Sequence, residues 1–241
     1  MIFQLEICAF SIGSCTIAEQ SGAHRIELCD NPSDGGTTPS FGLIQAAREK
    51  LHIDIFPIIR PRGGDFFYSE DDYGVMRRDV KICKNLGCNG VVVGMLNNDG
   101  SIDKKRTAKL VEIAYPMGVT FHRAFDRTSD PFKSMEDIID IGCERILTSG
   151  QQPTAMEGMP LLKALIEHAA ERIIIMPGSG IRAKNVSEVA IQTGALEFHT
   201  TARKLLSSKM NYINKNMNES LEQTICDGKE VLRIINELKK I

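Results

Sequence analysis

Eight short apolar runs punctuate this 241-residue chain, at 4–10, 25–30, 54–61, 90–96, 118–126, 145–150, 173–178 and 195–201. Segments of helical length separate them, so each strand is followed by a helix that returns the chain for parallel pairing. Eight such units in a chain of this length predict an α/β fold, the (β/α)8 barrel, with one domain spanning 1–241. A doubly wound open sheet is the competing arrangement, but no G-x-G-x-x-G follows the first run. No Pro/Ser-rich linker, charge run or low-complexity tract divides the chain.

A weak recurrence supports the repeat. Gly22-Ala23, Gly87-Cys88, Gly142-Cys143 and Gly194-Ala195 each stand where a helix should end and a strand begin. Glycine suits a left-handed helix terminus, and a small residue suits the corner after it. Cys88 and Cys143 are therefore expected to be small buried residues. Thr38-Pro39 and Asp130-Pro131 are expected to cap and open helices. Ser69 with Asp72 reads as a capping box ahead of the stripe Tyr73, Met76, Val80, Cys83 and Leu86. After the eighth run, a polar excursion over 204–218 precedes a closing helix near 218–239, whose apolar face would carry Leu221, Ile225, Val231, Leu232 and Ile235.

Charge and composition narrow the function. A formal net charge of −2 and the lack of a dense basic run argue against nucleic acid as partner. The first residues carry no basic segment followed by a long apolar one, and no apolar run reaches membrane-spanning length, so no membrane partner and a cytoplasmic location are expected. The seven cysteines are then expected to be reduced thiols.

Chemistry in a barrel belongs at the C-terminal strand ends. Strand side chains alternate faces. If Leu5/Ile7, Ile26/Leu28 and Leu196/Phe198 pack on helices, the interior receives Glu6 and Cys8, Glu27 and Cys29, and Glu197 and His199. Arg60 and Arg62 end the third run and are expected on one side of it, beside Gly63-Gly64, where paired glycines permit close approach of a ligand. The fifth run brings His122 and Asp126, with Arg123 beside the mouth. So many buried charges require mutual pairing, and part of the set must be a salt-bridge layer. Ser149 ends the sixth run, and Gly178-Ser179-Gly180 ends the seventh, where barrels often bind phosphate on backbone amides. Cys8 and Cys29 face one interior and offer soft ligands for Cu(I), or for zinc with an added histidine; the alternative is that they are small apolar fillers.

These residues carry a family resemblance. Leu5-Glu6-Ile7-Cys8, Arg25-Ile26-Glu27-Leu28-Cys29, Gly35-Gly36-Thr37-Thr38-Pro39-Ser40, Ile59-Arg60-Pro61-Arg62-Gly63-Gly64-Asp65-Phe66, Phe121-His122-Arg123-Ala124-Phe125-Asp126, Leu147-Thr148-Ser149-Gly150 and Gly178-Ser179-Gly180-Ile181 occur in the order found in the CutC copper homeostasis family. The match runs through roughly the first 200 residues. The resemblance implies a cytosolic (β/α)8 barrel, commonly a homo-oligomer, that handles copper and binds Cu(I) through Cys8 and Cys29. It also implies a polar mouth of Glu6, Glu27, Arg60, Arg62, His122, Arg123 and Asp126. Gln151-Gln152 departs from the family pattern, in which another glycine is expected after Ser149-Gly150.

Two functions follow. One is a copper-binding protein whose thiols hold Cu(I). The other is an enzyme, a lyase, isomerase or hydrolase, acting on a small carboxylated or phosphorylated metabolite. There Arg60 and Arg62 would clamp the anion, with Glu6, Arg123, Ser149, Gly178, Ser179, Gly180 and His199 around it. His122, oriented by Asp126 or Glu27, would be the general acid or base.

Overall fold

The structure is a computed structural model that describes residues 2–241. Eight parallel strands alternate with helices in the expected order. They are β1 (Gln4–Ala9), β2 (Arg25–Leu28), β3 (Asp54–Pro57), β4 (Gly90–Val93), β5 (Gly118–Phe121), β6 (Arg145–Thr148), β7 (Ile174–Pro177) and β8 (Glu197–Thr200). Around them lie α1 (Ile12–Gln20), α2 (Phe41–Lys50), α3 (Glu70–Asn85), α4 (Lys104–Ala114), α5 (Pro131–Ile141), α6 (Met159–Ala169), α7 (Val186–Thr193) and α8 (Gly228–Leu238). Pairing runs β3-β2-β1-β8 on one side and β4-β5-β6-β7 on the other. The Ile59 amide donates to the Val92 carbonyl at 2.8 Å and joins the two halves, while β7 packs beside β8. The fold is a (β/α)8 barrel.

Strand alternation sorts the apolar residues as parity requires. Leu5, Ile7, Ile26, Leu28 and Phe198 belong to the layer between strands and helices, whereas Cys8, Cys29, Phe56, Ile58 and Val92 form a separate cluster inside the barrel. Leu196 is the exception: it precedes β8 and is largely exposed. Gly22, Gly87, Gly142 and Gly194 all adopt positive φ, so the four corners turn as expected. The Ser69–Asp72 capping box is formed, and Asp130 caps α5.

Several boundaries differ from the sequence reading. Ser40, not Thr38, caps α2, because the Thr38 hydroxyl accepts from the Arg60 amide at 2.9 Å. That bond, with Thr38 N–H donating to the Arg60 carbonyl, draws the chain off the sheet, so β3 ends at Pro57. The fifth strand stops at Phe121, because His122 Nδ1 accepts from the Ala124 amide and caps a 3₁₀ turn over Arg123–Arg127. Beyond β8 the chain forms an antiparallel hairpin, β9 (Arg203–Leu206) and β10 (Gln223–Cys226), in place of the first turns of the expected closing helix. Helix α8 starts only at Gly228; it buries Val231, Ile234, Ile235 and Leu238 and leaves Leu232 largely exposed. No helix among the described residues is long and apolar enough to cross a membrane.

The barrel floor is ionic. Arg25 Nε donates to Glu6 Oε2 at 2.5 Å and its Nη2 to Glu197 Oε2 at 2.6 Å, and Arg145 Nε donates to the same Glu197 oxygen at 3.1 Å. Both guanidiniums also lie near the Phe56 ring, 5.3 and 5.5 Å from its centre. The ring fits because Gly90 stands opposite it: a Cβ there would fall 2.1 Å from the ring. Gly90→Ala is therefore expected to destabilise the fold by about 1–3 kcal/mol through overpacking. A lowered urea midpoint at unchanged slope would register this; an unshifted midpoint would mean that the ring has room to move.

Candidate functional site

Above the floor, the register sets the site. Glu6 lies opposite Arg25 on one side and His199 on the other, and Cys8 lies opposite Glu27. Glu6 therefore bridges floor and mouth: Oε2 accepts from Arg25, and Oε1 is 2.7 Å from His199 Nδ1. With Nδ1 engaged there, the other ring nitrogen is the one turned to Glu27, at 3.7 Å from its Oε2. Such carboxylate–histidine pairs fix the ring in metal sites. Gly178 packs beside the same imidazole, since an added Cβ would come within 3.4 Å of its Cβ and Cδ2. Cys8 Sγ lies 3.5 Å from Cys29 Sγ, which in turn lies 3.5 Å from Glu27 Oε2. One donor atom each from Cys8, Glu27 and His199 lies within 4.8 Å of the others.

Burial and charge divide the protons in this cluster. The hydrogen bond from Cys29 outweighs burial and, with His199, lowers Cys8 to about 6. Burial raises Glu27, and the neighbouring Cys8 raises it further. Burial and the same sulfur raise Cys29. Burial would lower His199, but Glu27, Cys8 and Glu6 more than offset it and raise it. Glu6, for which burial is outweighed by Arg25 and His199, falls to about 2. The arrangement favours the charged form of Cys8 over that of Cys29 and the protonated form of His199 beside it, the kind of setting in which a thiol becomes a nucleophile or a metal ligand.

The remaining residues separate. Arg60 is buried, and its guanidinium donates to the carbonyls of Asp34, Gly36 and Gly64 at 2.6, 2.8 and 2.9 Å. Arg62 does not share its direction. It turns outward to Asp65, Asp72 and the Phe67 carbonyl and stacks on Tyr68, so the two arginines form no common clamp. Asp126 does not orient His122: its carboxylate accepts from Arg123, Thr148, Ser149 and the Gln151 amide. Arg123 also donates to Ser149 Oγ at 2.8 Å. Gln151 takes the expected glycine's role at φ 57°, tied down by its side chain on the Thr128 carbonyl. His122 contacts the Phe66 ring, its Nδ1 accepts from the Ala124 amide, and its Nε2 is buried without a partner.

A cavity of ≈460 Å³ opens over this cluster, bordered by Cys8, Glu27, Arg60, His122, Arg123, Ser179, Gly180 and His199. Arg182 and Arg203 also line it. The sequence reading missed both: Arg182 stands in a loop where no periodicity marks a direction, and Arg203 opens β9, a strand that runs into the expected polar excursion. It also missed Arg25 and Arg145, although Arg25 shares the parity of Glu27 and Cys29 and each opens its strand.

The fold and mouth define a (β/α)8 barrel with a buried thiol, imidazole and carboxylate cluster beneath an arginine-lined opening. The sequence profile of the CutC family matches residues 3–204, and the chain belongs to that family. A CutC family protein of Parabacteroides distasonis is 51% identical, covering 88% of each chain. The human copper homeostasis protein cutC homolog is 46% identical, over 89% of this chain and 79% of its own. The crystal structure of the CutC protein from Streptococcus agalactiae superposes with a TM-score of 0.80 at 34% identity, covering 83% of this chain and 99% of that one. Phosphoribosylanthranilate isomerase of Thermotoga maritima shares the barrel alone, at TM-score 0.61 and 12% identity over the full length of both.

His122 supplies a pH test. Burial, then Arg60, lowers it to about 3 from an ordinary 6.5. The unfolded chain therefore binds the extra proton first; the stability this neutral imidazole contributes is full above 6.5 and is lost as pH falls towards 3. The wild type should lose stability between pH 7 and about pH 5 more steeply than His122→Gln, compared by urea unfolding. Equal slopes would mean that this ring takes up its proton in the folded protein over the same pH range as in the unfolded chain.

Proposed function

We propose that this protein acts in copper homeostasis by binding Cu(I) at the barrel mouth through Cys8 and Cys29, with His199 and Glu27 beside the metal. The observation that carries the reading is the pair of sulfurs 3.5 Å apart, one of them lowered to about 6. Soft thiolates select Cu(I), and a thiolate already present at neutral pH spares the metal competition with a proton. Metal–sulfur bonds of about 2.3 Å put two ligands of one ion roughly 3.8–4.0 Å apart in tetrahedral or trigonal geometry. The observed pair needs to open by only a few tenths of an ångström. Cys8 reaches the cavity, whereas Cys29 is fully buried behind Gly36, so the ion would meet Cys8 first. The copper names of the human and streptococcal relatives support the same cargo.

In this reading the protein is cytosolic, where thiols stay reduced. It is also a homo-oligomer, for which the exposed Met210, Tyr212 and Ile213 between β9 and β10 offer apolar surface.

An anaerobic Cu(I) titration against a competing chelator tests the assignment. The wild type should take up one equivalent tightly, Cys8→Ser/Cys29→Ser should lose it, and His199→Gln should weaken it by about 10–100-fold as an outer ligand or orienting group. Zinc in the same assay checks selectivity. Unchanged copper affinity in the double variant would reduce the two thiols to packing residues.

A further inference from the structure

We propose that the cavity over the thiols binds a small phosphate-bearing organic molecule, its phosphate held between the loops after β7 and β8 by Arg182, Arg203 and the amides of Ser179 and Gly180. The proposal does not depend on copper. It starts from charge: Arg60, Arg123, Arg182 and Arg203 border the cavity, against Glu27 as its one carboxylate. Such a lining repels a bare cation and attracts an anion.

The four arginines are not equivalent. Arg60 is occupied by backbone carbonyls and Arg123 by Asp126 and Ser149. Among the described residues, the guanidiniums of Arg182 and Arg203 have no carboxylate within salt-bridge distance. Both stand at the rim, one after each of the last two strands, where they can close on a ligand as paired forks.

The backbone adds donors at the same place. Ser179 at φ 73° and Gly180 at φ 77° turn left-handed in succession, uncommon for a serine and a mark of loops shaped for a ligand. The turn is fixed, because Ser179 Oγ donates to the Pro153 carbonyl at 2.7 Å and its own carbonyl accepts from the Ala155 amide at 3.0 Å. Neither the Ser179 nor the Gly180 amide donates to a protein acceptor among the described residues. In this architecture the loops after the seventh and eighth strands are where phosphate groups bind.

The rest of the cavity suits an organic body. Its ≈460 Å³ lies within the range of roughly 300–1,000 Å³ that small molecules occupy, far more than an ion needs. Phe10, Ile58, Phe66 and Leu147 supply apolar wall. His122 Nε2 and Arg60 Nε are buried there without partners, which marks polar positions that the protein itself leaves unsatisfied.

Calorimetric and phosphorus NMR titrations with inorganic phosphate and phenyl phosphate, at constant ionic strength in chloride, test the site. Saturable one-site binding is expected, tighter for phenyl phosphate than for inorganic phosphate. Arg182→Gln/Arg203→Gln should weaken it by about tenfold or more, as loss of charged hydrogen bonds implies. The corresponding lysine variants should be intermediate, and circular dichroism should report the fold unchanged. All titrations are run with copper absent and chelator present, and binding is expected there all the same, so a failed copper assignment leaves this one standing. Binding that is absent, or that is indifferent to the two arginines, overturns the proposal. Benzoate binding as tightly as phenyl phosphate overturns its phosphate specificity.

Discussion

The chain of contacts from Arg145 through Glu197, Arg25 and Glu6 to His199 is the constraint on which the mouth depends. Each member is buried, and each neutralises its neighbour, so none could be removed without stranding a charge in the barrel. Such networks are weak sources of net stability, since apolar residues of similar volume often do as well. What this one supplies is position. Glu6 has two oxygens and commits one to the floor and one to the imidazole, which sets the His199 ring beside Cys8 and Glu27. The chemistry of the upper layer is thus inherited from the register of β1 against both β2 and β8.

Much of this was legible because strand geometry has a period of two. The pairs Glu6/Cys8 and Glu27/Cys29 and the pair Glu197/His199 could be assigned to the interior from sequence, and the inner and outer apolar clusters divide along the same parity. The same rule applied to Arg25, which shares the parity of Glu27 and Cys29, finds the floor. The rule failed where strands ended earlier than their apolar runs. Arg60 and Arg62 are two apart, yet the Thr38 contact takes the backbone out of β3 before either, and alternation no longer governs their directions. His122 and Asp126 were read on one strand, but a 3₁₀ turn intervenes, so the carboxylate serves the β6 loop instead. Loops have no period, which is why Arg182 was invisible as a cavity residue, and Arg203 belongs to β9, a strand that was not expected at all.

Two different demands meet within this opening. The thiols favour a soft cation, while the arginines above them favour an anion, and a bare ion entering from solvent would encounter the unfavourable charge first. The conflict disappears if what enters is not bare. A ligand with a phosphate end on the β7 and β8 loops would cancel the rim charge, and it would lie across the apolar wall towards Cys8 without competing for the sulfur. A cation at the sulfurs would likewise ease placement of the anion. Occupancy of either position then favours the other through the field they share, a coupling that must be reciprocal whatever its size. The layers of the barrel keep opposite charges adjacent only part of the way, with carboxylates and guanidiniums paired at the floor and sulfur and imidazole in the middle; the rim guanidiniums of Arg182 and Arg203 are left without carboxylates among the described residues, and an anion there would complete the series.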